Sequence, residues 1–285
     1  MLLFRNGRAP NQSMKPTAPD RMTSRVFGTT SCRGLSLISL GLWRNLVRNS
    51  TRLSQTAVVF VIFVALVVLA RSEDTELSIH IDHVMVGVSN LEGAVSDFEK
   101  ATGVRPVFGG KHPSGTQNAL VSLSSGTYLE LIAPPSDAKT SQFSDLAKLE
   151  KPTPIGWAVS AADAHLLRER LSKNGFAVTD PKAGSRLTPS GTTLRWEAFQ
   201  LKDEFPGAPF FINWASQSPH PSSTSPTGCT LDHWTVGGPN PDLLARLQKV
   251  LGLSFETYKS PKEQFTLSVS CPKGKVVFGP PVQPQ

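Results

Sequence analysis

Apolar and polar positions alternate along residues 78–88, Ser-Ile-His-Ile-Asp-His-Val-Met-Val-Gly-Val, and this period of two predicts a strand. The period then lengthens. Leu91, Ala94, Val95, Phe98 and Ala101 recur at helical spacing, with Asn90 as N-cap, Glu92 in the first turn and Gly103 as the stop. Strands are expected at 105–108, 118–122 and 127–133, with a Gly-rich loop over 109–115 and Pro134-Pro135 closing the last. The order is βαβββ.

That order recurs twice. The second copy has strands at 155–160, 176–178, 193–201 and 209–215, and a helix at 163–173 with Leu166, Leu167 and Leu171 inward. Residues 217–228, rich in Ser and Pro, read as a linker. The third copy has strands at 229–236, 255–258, 265–270 and 275–278 and a helix at 241–251 with Pro241 near its start. Ile81 to Asn90 lies over Leu231 to Asn240 with five of ten positions identical, among them Asp82 and Asp232, His83 and His233. The expected fold is α+β, with βαβββ modules forming a curved mixed sheet around a ligand groove. Two modules fill 78–216, the linker fills 217–228, and a third, partial module fills 229–281.

Ahead of this body lies Ala57–Ala70, fourteen residues without a polar side chain, with Arg44, Arg48 and Arg52 before it and Arg71, Glu73, Asp74 and Glu76 after it. Residues 56–72 are therefore expected to be a signal-peptide core or, extended to Leu53, a marginal membrane anchor. Either places the body outside the cytoplasm, with the membrane as partner through residues 56–70. Residues 1–55 read as a disordered extension: an Arg-rich organellar presequence, or the product of a start assigned too early. Charge supports the division. Residues 1–72 hold ten Lys and Arg against one acid, a formal +9, and residues 73–285 hold nineteen against twenty-one, −2. The body lacks the basic excess that nucleic-acid binding needs. Three Cys exclude an all-cysteine zinc site; Cys229 and Cys271 are either one disulfide or two reduced core residues.

Three stretches carry a resemblance: Ile81 to Val86, Gly109 to Leu120, and Tyr128 to Ala133, joined by Leu194-Arg195-Trp196 and Pro209 to Trp214. Together they resemble the glyoxalase-like domain family of the vicinal oxygen chelate superfamily, over about residues 79–280. The resemblance implies a groove in which a first-strand His and a last-strand Glu of one module meet the equivalent pair of a second, holding a divalent metal such as Zn, Fe, Ni or Mn. His83 and Glu130 match the first pair. In the second module Trp157 falls at the His position and Asn213, or Ile212 if the register slips, at the Glu position. In the third, His233 is present and Val276 replaces the Glu. A partial metal site of His83 and Glu130, with His233 or His112 as a further ligand, is what the resemblance leaves.

Each candidate has a plainer reading beside it. His83 is a ligand or a satisfied core histidine, and Glu130 a groove carboxylate or a surface-facing strand residue. His112 is a turn residue, or a mobile lid base. Thr116, Asn118, Trp196 and Asn213 are candidate substrate contacts, and His80, His165 and His220 read as surface or loop residues. The expected function is a metal-dependent lyase, isomerase or oxygenase on a small oxygenated substrate. The alternatives are a metal-free binding or sequestering module of the same fold, and a cell-envelope interaction protein.

Overall fold

The computed structural model describes residues 77–134, 144–203 and 205–280. Strand β1 (Ile79–Gly87) leads into helix α1 (Leu91–Thr102), then β2 (Val107–Lys111), β3 (Gln117–Ser124) and β4 (Thr127–Ala133). Helix α1 begins and ends where its caps dictate. The Asn90 side chain accepts from the Gly93 N–H at 2.8 Å, and Gly103, at φ +78°, donates its N–H to the Glu99 carbonyl. Its apolar stripe buries Leu91, Val95 and Phe98.

A four-residue helix α2 (Ser144–Ala147) precedes the second module: β5 (Thr153–Ala161), α3 (Ala164–Lys173), β6 (Lys182–Leu187), β7 (Thr193–Phe199) and β8 (Phe210–Trp214). These eight strands form one sheet in the order β2-β3-β4-β1-β5-β8-β7-β6. The halves are related module to module and join along the antiparallel pair β1–β5. The outermost strands curl towards each other. The buried Arg186 of β6 donates to the Gly109 carbonyl of β2, and a side chain at Gly110 would strike the Leu187 carbonyl. A sheet curved this far encloses a hollow on one face and presents the other to the core.

The third copy follows a short helix α4 (Pro221–Thr224): β9 (Thr230–Gly238), α5 (Pro241–Leu251), β10 (Glu256–Lys259), β11 (Gln264–Cys271) and β12 (Gly274–Phe278). Its element order repeats the first module, but its strand order does not. Here β9 lies between β10 and β11, with β12 at the edge, whereas β1 pairs with β4, the last strand of its own module. This four-stranded sheet packs on the core face of the large one, where Trp157 meets Trp234 and Phe255 at ring separations of 6.0 and 4.9 Å. Cys229 and Cys271 are joined by a disulfide that ties β9 to β11.

Several expectations need correction. The strand expected at 105–108 is β2, Val107–Lys111, so Gly109 and Gly110 lie within a strand. Residues 176–178 form no strand, only a single bridge from Val178 to Leu201. Strand β6 was not expected, because Lys-Ala-Gly-Ser-Arg-Leu lacks the apolar alternation of a half-buried strand. Leu167 and Leu171 are buried but Leu166 is 40% exposed. Segment 217–228 is not featureless: it holds α4 and buries Pro221 and Ser222. The membrane-anchored or exported localisation is also corrected. Among the described residues no helix is long and apolar enough to cross a membrane. The longest, α1, has twelve residues, about 18 Å against a hydrocarbon layer of about 30 Å. Residues 1–72, with the apolar run on which that expectation rested, lie outside the described residues.

Candidate functional site

The hollow of the large sheet is a cavity of about 240 Å³, lined by His83, His112, Tyr128, Glu130, Lys182 and Arg186 among others. Strand alternation explains the first two. In β1, His83 and Met85 share one face, while Val84 and Val86 enter the core. In the parallel neighbour β4, His83 stands opposite Tyr128 and Met85 opposite Glu130. Tyr128 and Glu130 therefore turn to the same cavity. The His83 Nε2 lies 3.6 Å from Glu130 Oε2, and the His83 ring stacks on Tyr128 with centroids 4.7 Å apart.

Asp82 departs from alternation. A neighbour of His83 in a regular strand points to the opposite face, but the pairing of β1 with β5 slips between Ile81 and His83. That β-bulge brings Asp82 round beside its neighbour. Asp82 Oδ1 accepts from His83 Nδ1 at 2.7 Å; Oδ2 accepts from Trp214 Nε1 at 3.0 Å and His220 Nε2 at 3.1 Å. The His220 tautomer follows from its other side, where Nδ1 accepts from the Ser222 backbone N–H at 3.2 Å. Nε2 therefore carries the proton given to Asp82. Asp82 is fully buried. Burial pushes its carboxyl up, but the bonds from His220 and His83 outweigh this and bring it down to about 2.

His112 lies in a tight turn, not a lid. Its N–H donates to the Thr116 carbonyl at 2.8 Å, the Gly115 N–H donates back to the His112 carbonyl at 2.9 Å, and its Nδ1 meets Thr116 Oγ1 at 2.9 Å. The expected mobile lid is corrected accordingly. His112 Nε2 faces Glu130 Oε1 at 3.5 Å and the Asn118 amide at 3.4 Å; that amide also donates to Glu130 Oε1 at 2.7 Å. Burial pulls the His112 pKa below the ordinary histidine value, and Arg186 and His83 add to this against the pull of Glu130. The imidazole is neutral at pH 7. Glu130 responds oppositely: burial raises it, but His112, His83, the Asn118 amide and Arg186 together lower it. Burial raises the Tyr128 phenol well above its usual range, so it stays protonated. The cavity thus holds an ionised carboxylate, a neutral imidazole and a protonated phenol.

The second module supplies walls. Phe210, Ile212 and Trp214 of β8 and Trp196 of β7 line the cavity, and Lys182 and Arg186 of β6 add positive charge. Since Ile212 and Trp214 face inward, Asn213 between them faces away, and its expected substrate contact is corrected. Trp157 is on the core side, donating to the Gly207 carbonyl at 2.9 Å, so it does not fill the site. The residues of β5 paired with His83 and Met85 are Ala158 and Gly156. Thr116 is wholly buried behind His112 and orients it. Asn118 and Trp196 do line the cavity.

His233 is absent from this assembly. It lies in the four-stranded sheet with its side chain 61% exposed, 3.8 Å from Glu256. Because β9 has β10 and β11 as neighbours, Val276 of β12 is not even adjacent to it. The metal role expected of His233 is corrected on that ground. Sequence reasoning passed over Asp82, Tyr128, Arg186 and His220. The Asp-His pair shared by 82–83 and 232–233 was a signal for the first; nothing local marked the other three.

Gly109 makes the cluster possible. A methyl at its Cα would lie 2.5 Å from Asn118 Oδ1, 3.0 Å from Leu120 and 3.1 Å from Arg186 Nη1. Gly109→Ala is therefore expected to displace both polar side chains and cost about 1–3 kcal/mol, read from urea unfolding. An unchanged midpoint would show that the approach is loose.

The sequence model of the glyoxalase-like domain family matches residues 81–251. No curated protein matches the chain. Among solved structures, a hypothetical protein from Staphylococcus aureus is 14% identical at a TM-score of 0.50, over 71% of this chain and 85% of its own. Methylmalonyl-CoA epimerase from Mycobacterium tuberculosis is 21% identical at a TM-score of 0.33, over 47% of this chain and 85% of its own. At these identities the likeness to the staphylococcal protein is one of fold alone.

Proposed function

The chain belongs to the glyoxalase-like domain family, within the vicinal oxygen chelate superfamily, and from that membership we propose that it is a lyase or isomerase that moves a proton on the carbon next to a carbonyl of a small oxygenated molecule. The observation that carries the proposal is the facing of the neutral His112 Nε2 and the ionised Glu130 across 3.5 Å, with protonated Tyr128 lining the same cavity. His112 Nε2 takes the proton; the Asn118 amide NH₂, oriented by its bond to Glu130, faces that nitrogen and matches a lone pair there, while Nδ1 is held by the Thr116 hydroxyl. The imidazolium that forms is offset by Glu130. Tyr128 donates a hydrogen bond to the carbonyl oxygen as negative charge develops there. His83, its tautomer fixed by Asp82, forms the opposite polar wall. Phe210, Trp196 and Trp214 exclude water and strengthen these interactions.

The superfamily's divalent metal is a separate matter. His83, Glu130 and His112 are suitable donor types, but among the described residues no group of three or more His, Cys, Asp or Glu is arranged to hold a metal ion. The second module offers Ala158, opposite His83, and Ile212 where two further ligands would stand, and Glu130 Oε1 is already held by Asn118. The residues do not fit the four-ligand centre. The expected result is that protein dialysed after loading with Zn, Mn, Fe(II) or Ni retains no stoichiometric metal, measured by elemental analysis. One bound equivalent, lost in His83→Ala, would restore a metal centre.

The function is tested by proton exchange. In D₂O, wild-type protein should wash deuterium into the α position of small hydroxycarbonyl or dicarbonyl compounds, followed by proton NMR. Binding of these compounds with no exchange above background would leave a sequestering module in its place.

A further inference from the structure

Arg186 is a costly residue to bury. It is 4% exposed, yet among the described residues the one acceptor it meets is the Gly109 carbonyl and no carboxylate lies within ion-pair distance of it. A guanidinium with so little access to solvent is stabilised by an anion that completes its fork. The rest of its fork lines the cavity, and Lys182, two alternations earlier on β6, lines it too. Gly184 lies between them; a Cβ there would be 2.5 Å from the Trp196 ring, so the glycine lets that indole lie flat against the strand. Among the described residues, the carboxylate lining the cavity is that of Glu130. Asn118 Oδ1, buried beside Gly109, also lacks a donor.

We propose that the ligand of this cavity is a small carboxylic acid, its carboxylate held by the Arg186 guanidinium and its reacting carbon turned towards His112 and Glu130. A planar fork with free N–H donors matches a carboxylate better than any neutral oxygen. The acid is small because the cavity is about 240 Å³ and walled by aromatic rings. It is a monoanion because a second charge would meet Glu130 in the same space. The inference rests on reading this pocket as a small-molecule site.

The test is calorimetric titration of the full chain with acetate, glycolate and pyruvate, with their amides, and with inorganic phosphate. At least one carboxylate should bind tighter than its amide by about tenfold or more. Arg186→Gln should remove that preference, and Arg186→Lys restore only part of it, since an ammonium lacks the fork. Equal binding of acid and amide, no carboxylate binding, or carboxylate binding unchanged in Arg186→Gln would each overturn the proposal. Phosphate bound tighter than every carboxylate would overturn it in favour of a phosphate ester. Should Arg186→Gln fail to fold, the acid–amide comparison on wild type decides alone. Arg186-dependent carboxylate binding without proton exchange would keep this inference and remove the catalytic one. Exchange on neutral carbonyl compounds that survives Arg186→Gln would do the reverse.

Discussion

Replacing Asp82 with Ala lowers the unfolding free energy by about 3–5 kcal/mol, the expected cost of removing one partner from a buried charged network. The carboxylate accepts three hydrogen bonds, from His83 beside it, Trp214 of β8 and His220 of segment 217–228. Its loss strands the buried His83 N–H, removes the acceptor of the part-buried Trp214 and His220 N–H groups, and takes away one of the ties that hold the segment to the sheet. Asp82→Asn keeps the shape but turns an amide NH₂ towards a donor, so a substantial part of the loss remains. Urea unfolding at pH 7 measures both. A loss under about 1 kcal/mol in Asp82→Ala would show that the three donors find other partners. The wild type carries a matching pH signature. The folded carboxyl sits at about 2 against an ordinary 3.8, so its contribution is complete above pH 3.8 and disappears as pH falls through 2. That is on the order of 2 kcal/mol over the window, and it is missing from the pH dependence of Asp82→Ala.

His112→Ala is expected to slow α-proton exchange about 10²–10⁴-fold, the range for loss of a positioned base. Its pH profile separates this role from a packing role. Burial holds the imidazole below its ordinary 6.5, and only the neutral form accepts a proton. The wild-type rate should therefore stay level from pH 8 down past 6.5 and fall only at lower pH. The stability term has the same sense: below 6.5 the unfolded chain takes up the proton more readily, so the contribution of His112 declines as pH falls. Thr116→Val should move the limb and lower the rate less, because it removes the partner of Nδ1 without removing the base. A His112→Ala protein that folds normally and exchanges at the wild-type rate would transfer the role to His83 or Glu130.

The sequence by itself determined what depends on near neighbours along the chain. Helix α5 occupies the expected Pro241–Leu251 and β4 the expected Thr127–Ala133, because caps, breakers and periodicity act within a turn or a pleat. The approach of His83 and Glu130 was legible only through the family resemblance, which implies that a first-strand His and a last-strand Glu of one module meet. The bulge that turns Asp82 inward was not legible, since it is a slip in pairing between β1 and β5, some seventy-five residues apart. Nor was Arg186, which sits in a strand of polar residues held by its neighbours, or His220, which reaches Asp82 across 138 positions. The third copy makes the point most sharply. Half of the positions from Leu231 to Asn240 repeat Ile81 to Asn90, and the elements follow the same order, yet the strands pair differently and His233 lies exposed in the four-stranded sheet, outside the cluster it was expected to join. Propensity and hydrophobic pattern are written locally and survive duplication. Which strand finds which neighbour is decided by the burial of whole faces against the rest of the chain, and only the folded molecule computes that balance.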